Sequence, residues 1–226
     1  MGEPVSVGAI DGDLPGPAMP GLRPATPLSI LNVKGLKGTL IVNGSTALLY
    51  LALAFHFAGR PTLLPLLAFV NGVLWWSFLE YHLHRFVLHW EPESAFRKAL
   101  RKCFPAHRGH HNTPGDPDRI VNRRFALTVG LSLFQIGAML GLGFSPMWSL
   151  AVTGGTLIGH FFYEYLHVSC HVLKSDNRFM QLLKRHHLFH HYRDESVNFG
   201  VSSPVWDYVF RTVRRLRPRG KDAAAA

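Results

Sequence analysis

Cysteine is scarce in this chain of 226 residues: Cys103 and Cys170 are the only two. One pair makes no disulfide framework, and a closed zinc site, which favours cysteine, gains no support. A reducing, cytosol-facing environment is the simpler expectation. Acidic residues are also few, 14 against 24 Lys and Arg, for a formal charge of +10. That balance can suit nucleic acid. Here, however, the basic residues flank long apolar runs, so no nucleic-acid partner is expected. No H-E-x-x-H, G-x-S-x-G or Walker motif occurs, so zincin proteolysis and the other chemistries those motifs carry are unsupported. No secretory signal peptide is visible, because residues 1–28 are rich in Gly and Pro, contain Asp11 and Asp13, and lack a continuous apolar core. That stretch is expected to be disordered. Residues 29–38 read as a linker, with a short interfacial helix as the alternative. The chain is thus divided into a juxtamembrane segment 1–38, a main domain 39–210 and a basic tail 211–226, which carries no K-D-E-L type signal.

Long apolar runs are present. Residues 39–58, 61–79, 125–143 and 147–166 each run 19 or 20 residues. A helix of that length crosses a hydrocarbon core of roughly 30 Å. The fold class expected is an all-α membrane protein of four transmembrane helices in two hairpins. The hairpin loops, Gly59-Arg60 and Phe144-Ser145-Pro146, are too short to hold domains. Of the 24 Lys and Arg, only Arg60 lies on that side. Both termini and the 85–124 segment are therefore expected on the cytoplasmic face.

Histidine is abundant, with 14 copies, and ten fall into four clusters. His84 and His89 are five apart. His107, His110 and His111 read H-x-x-H-H, and His187, His190 and His191 repeat it. His167 and His171 are four apart. The topology places all four clusters on the cytoplasmic face, in a helical cap. Imidazole is the commonest metal-ligating side chain. Ten exceed the needs of one ion and suit two ions with about five each. Positions i, i+3 and i+4 share a helix face, so each H-x-x-H-H presents its imidazoles to one side. His84 and His89 differ by about 140° on an α-helix, which suggests one for each metal. His56, His82, His160 and His186 are read as non-ligands. Glu80 and Glu164 stand near the clusters and could each accept the second N–H of a ligand imidazole. Imidazole alone does not name the metal, but a site between bilayer and cytosol suits redox chemistry on a lipid C–H bond, with iron and dioxygen.

Residues 80–89 (E-Y-H-L-H-R-F-V-L-H), 107–114 (H-R-G-H-H-N-T-P), 163–171 (Y-E-Y-L-H-V-S-C-H) and 186–192 (H-H-L-F-H-H-Y) resemble, in order, the histidine boxes of the integral-membrane fatty acid hydroxylase and sterol desaturase superfamily. The resemblance covers about residues 79–210. The stretch 198–210 (N-F-G-V-S-S-P-V-W-D-Y-V-F) looks most like the fatty acid 2-hydroxylase branch, which acts on sphingolipid acyl chains. The resemblance implies a non-haem di-iron monooxygenase whose ten histidines are those named, with zinc able to occupy the sites in purified protein. It offers Tyr192, Asn198, Phe199 and Trp206 as substrate-lining residues, interfacial packing being their alternative. Eukaryotic members often carry a haem-binding cytochrome domain, for which residues 1–38 are too short. A separate electron donor of cytochrome or ferredoxin type is therefore expected, and a bacterial inner membrane rather than the endoplasmic reticulum. A sterol or carotenoid substrate remains an alternative, as does a non-enzymatic haem- or zinc-binding membrane protein.

Overall fold

A computed structural model describes residues 26–89, 94–96, 98, 105–114, 116–121 and 123–214. The stretch expected to be disordered before residue 26, and the basic tail beyond Arg214, lie outside the described residues. A 3-10 turn (Ser29–Asn32) leads into α1 (Leu36–Ala58), and α2 (Leu64–Leu83) continues into a π-helical turn (His84–Leu88). Two short helices follow, α3 (Pro105–Asn112) and α4 (Pro117–Ile120), then α5 (Phe125–Gly141) and α6 (Pro146–Val172). Helices α7 (Arg178–Tyr192) and α8 (Val205–Val209) complete an architecture without β-strands among the described residues.

Local chemistry sets the helix starts. The Ser145 hydroxyl accepts from the Trp148 amide, and Pro146 follows it where its missing N–H costs nothing. The Asn177 side chain accepts from the amides of Phe179 and Met180 and opens α7.

Helix α6 is the axis of the bundle. It packs against α1, α2 and α5, and is buried from Ala151 through Leu157. Small residues allow that closeness. A Cβ added at Gly155 would stand 1.9 Å from the Phe69 carbonyl oxygen, and one at Gly72 would stand 2.0 Å from that of Val152. Close backbone approach through small residues is how helices associate in lipid. Their outer faces are apolar and bare: Ile41, Leu48, Leu67, Leu74 and Phe134 are all more than 60% exposed. A belt of this kind needs lipid or a partner to cover it.

Two helices are long and apolar enough to cross a membrane, Leu36–Ala58 with 23 residues and Leu64–Leu88 with 25. The third expected run forms a helix of 17 residues, Phe125–Gly141. The fourth forms the 27-residue α6, whose polar groups face its neighbours inside the bundle. The reading of residues 29–38 as a plain linker is corrected. Ile30 and Leu36 are fully buried against Ile120, Val121, Val168 and Leu173, because apolar side chains at the end of α6 offer them a dry surface.

Candidate metal centre

Ten imidazoles converge at the end of the bundle in two groups of five. One contains His84, His89, His107, His111 and His190; the other contains His110, His167, His171, His187 and His191. Within each group the ligand atoms lie within 4.8 Å of one another. The two groups hold no cysteine or carboxylate, and none of His56, His82, His160 or His186.

The helices explain how the motifs are shared. On an α-helix, i and i+4 differ by about 40°, while i+3 lies about 60° to the other side. Each H-x-x-H-H, expected to present its imidazoles to one side, instead sends its outer pair to one group and its middle histidine to the other, because the partner helices stand on both sides of that arc of about 100°. His107 and His111 join the first group while His110 joins the second; His187 and His191 join the second while His190 joins the first. The motifs interlock, and the His111 and His191 rings stack across the boundary at 4.1 Å.

The expectation that His84 and His89 serve different metals is corrected, because the backbone between them is not α-helical. The His89 amide donates to the His84 carbonyl at 3.2 Å. Such an i→i+5 turn brings residue i+5 back over residue i. Both imidazoles thus face the first group, with their Nε2 atoms 3.1 Å apart.

The Nε2 contacts test whether a cation fits. His110 Nε2 lies 3.1 Å from that of His167 and 3.0 Å from that of His171. His187 Nε2 lies 2.9 Å from His171 and 3.0 Å from His191. A ring nitrogen carries one proton or one lone pair, never both. Five such atoms sharing four contacts can form at most two hydrogen bonds. In the first group His89 Nε2 alone meets three others: His84 at 3.1 Å, His107 at 2.8 Å and His190 at 2.9 Å. Facing lone pairs repel, and a metal ion between them removes the conflict. Five converging imidazoles also leave no plane for a porphyrin, which disfavours the haem alternative.

The environment keeps these rings in the ligating form. Burial, reinforced by the neighbouring His190, pushes His110 down to about 4 and His89 to about 3. Burial brings His190 to about 4 although the Val197 carbonyl opposes the shift. His107, His111, His187 and His191 move in the same direction, burial first and neighbouring imidazoles after it.

Glu80 is committed to a loop rather than to an imidazole. Its Oε1 takes the amides of Val201 at 2.6 Å and Ser202 at 2.8 Å, and its Oε2 takes the Ser202 hydroxyl. A glutamate one turn before His84 reaches that loop because α2 ends beside it. Glu164 lies 3.5 Å from Nε2 of His160, and His160 Nδ1 meets Asn43 at 3.0 Å. Glu195 does reach the first group, 3.1 Å from Nδ1 of His111 and 3.9 Å from that of His89. Four residues beyond His191, it was open to discovery by spacing.

A cavity of about 80 Å³ adjoins both groups, lined by His84, His107, His110 and His167 and by Trp76, Leu83, Tyr163 and Glu164 among others. Through Trp76, Leu83 and His160 it meets an apolar groove of about 730 Å³ between α2, α5 and α6. Tyr192, Asn198, Phe199 and Trp206 line neither of these two spaces. The Trp206 indole donates to Ser77, and its ring packs on Phe78. The Asn198 side chain is spent on the backbone of His186 and Arg214. Tyr192 lies at the end of α7, its ring 6.3 Å from that of His191. Phe199 touches the first group twice: its carbonyl accepts from His84 Nδ1, and its ring packs 5.5 Å from that of His190 and 5.8 Å from that of His84.

Known proteins resemble this chain in sequence and fold. The mouse protein named fatty acid 2-hydroxylase is 31% identical over 146 residues, 64% of this chain and 39% of that one. The Arabidopsis thaliana dihydroceramide fatty acyl 2-hydroxylase FAH2 is 32% identical over 66% of this chain and 62% of its own length. The Saccharomyces cerevisiae ceramide very long chain fatty acid hydroxylase SCS7 is 37% identical over 64% of this chain and 37% of that one. The solved hydroxylase domain of full-length scs7p superposes with a TM-score of 0.62 at 29% identity, covering 85% of this chain and 68% of that one. The chain thus spans less than two thirds of these curated relatives, and they are eukaryotic, so the expected bacterial membrane finds no support in them. The fatty acid hydroxylase profile matches residues 69–212, from α2 through the loop after α8. With its histidine boxes gathered as the resemblance implied, the chain belongs to the fatty acid hydroxylase family.

Proposed function

We propose that this chain is a multi-pass membrane monooxygenase that hydroxylates C2 of a fatty acyl chain, free or in a sphingolipid or ceramide. One observation carries the reading. Ten neutral imidazoles in two groups of five adjoin a cavity that shares the walls Trp76, Leu83 and His160 with an apolar groove between α2, α5 and α6. The relatives' names, fatty acid 2-hydroxylase and dihydroceramide fatty acyl 2-hydroxylase, point to the same reaction. In this reading α1, α2, α5 and α6 all cross the bilayer, and the metal centre and both termini are cytoplasmic. Each group of five histidines holds one ion, iron in the working enzyme, and zinc can take its place on purification.

Two iron ions, with dioxygen, two electrons and two protons, supply an oxidant that puts one oxygen atom into a C–H bond and releases the other as water. The protein does the rest. The ten histidines would hold the ions through nitrogen alone and so would add no negative charge to the site. Leu83, Leu88 and Ile120 give the cavity apolar walls, which keep bulk water from the reacting carbon. The groove takes the acyl chain, so the carboxyl or amide end stands beyond the histidines toward the cytoplasm, and C2 lies beside them. Electrons come from a separate cytochrome- or ferredoxin-type protein at that face.

Lipid mass spectrometry on cells with and without the chain tests the reading, with His110→Ala as control. A 2-hydroxy acyl product that depends on His110 is expected. No added oxygen in any lipid, with donor and dioxygen present, would falsify it.

A further inference from the structure

The outer nitrogens of the two groups are treated very differently. In the first, His190 Nδ1 donates to the Val197 carbonyl at 2.7 Å, and His84 Nδ1 to that of Phe199. His111 Nδ1 meets Glu195 at 3.1 Å. In the second, Nδ1 of His110, His167, His171, His187 and His191 is buried with no hydrogen-bond partner. A partner on the outer nitrogen fixes the tautomer, aims the ring and makes Nε2 a stronger donor to metal.

The two carbonyls belong to one loop, and that loop is pinned from beneath. Asp207 is fully buried and accepts four hydrogen bonds: from the amides of Phe199 and Gly200, the Thr212 hydroxyl and His186 Nε2, at 2.8 to 2.9 Å. Burial alone would raise its carboxyl, yet the His186 contact and these donors hold it below 3.8. Asn198 turns the chain at φ 57°, and Glu80 ties down Val201 and Ser202.

We infer that the two metal positions are unequal: the His84–His190 group retains its ion, the His110–His187 group exchanges it, and Asp207 is the positioning residue that sets the difference. The inference rests on the two-ion reading. Protein loaded with zinc is dialysed against a chelator, and metal per chain is followed by elemental analysis. Two ions at the start are expected to leave in two phases, one per chain, at rates about tenfold or more apart. Asp207→Asn places an amide where Gly200 N–H or His186 needs an acceptor. It should speed the slow phase about tenfold and leave the fast phase alone. Glu195→Gln, at an exposed position, should speed the slow phase less and does not risk the fold. Loss of both ions in one phase overturns the inference and leaves the two-ion reading standing. So does equal acceleration of both phases in both variants, which would mark a structural role only. Fewer than two ions at the start overturns both.

Discussion

At the scale of the residue, the chemistry rests on imidazoles kept neutral by burial. His110 and His190 stand at about 4 and His89 at about 3, against an ordinary 6.5. Between those values the unfolded chain binds more protons than the folded one, so stability falls as pH falls. Metal-stripped protein should hold a level melting temperature above about pH 6.5 and lose stability progressively toward pH 4. Melting curves from pH 7.5 to 4.5 decide this, and a flat profile would show that the rings are solvated. Three of the four remaining histidines show what a ligand is not. His186 is committed to Asp207, His160 to Asn43 and Glu164, and His82 sits among Phe78, Tyr81, Phe86 and Phe210.

At the scale of the element, the π-turn is the least replaceable device. A spacing of five brings His84 and His89 together only while the turn is π. An alanine inserted after Val87 makes the spacing six and turns His89 away from its group. Metal content is then expected to fall by about one ion per chain. Deleting Val87 makes the spacing four, which an ordinary α-turn satisfies, so this variant should keep more metal than the insertion. Equal metal content in the two would mean that spacing does not matter. Helix α6 sets the other limit. Gly155→Val drives its side chain into the Phe69 backbone and is expected to destabilise the bundle by about 1–3 kcal/mol or more. Gly137→Ala on α5, with no atom within 4 Å, should leave the melting temperature unchanged or raise it slightly.

At the scale of the molecule, the proposed acyl path is the apolar groove between α2, α5 and α6. Ala138 lies on its wall, near Leu142 and Phe134. Ala138→Trp should narrow it, so that product from long acyl chains falls severalfold while short chains are less affected. Metal content should not change. If long and short substrates lose activity together, the groove is not the acyl path. An all-α bundle with a bare apolar belt also implies that the purified chain needs detergent or lipid to stay monomeric.

Much of this was legible in the order of residues. Ten of fourteen histidines stand in short-range patterns, and helical geometry alone states which of them share a face, because neighbours on a helix are set by spacing. The apolar runs were likewise readable from length and composition. What only the tertiary structure decided lies between segments distant in the chain. It sorted each H-x-x-H-H across two groups, since that depends on where a second helix stands. It also replaced an α-turn by a π-turn, whose register is fixed by what His84 and His89 face. Glu80 went to the loop after Phe199 instead of an imidazole. Two backbone carbonyls, which no residue type announces, came to hold His84 and His190, with Asp207 beneath them. Local spacing determines the direction in which a side chain leaves its helix. What it meets there is settled by packing between elements, and no single stretch of sequence contains that information.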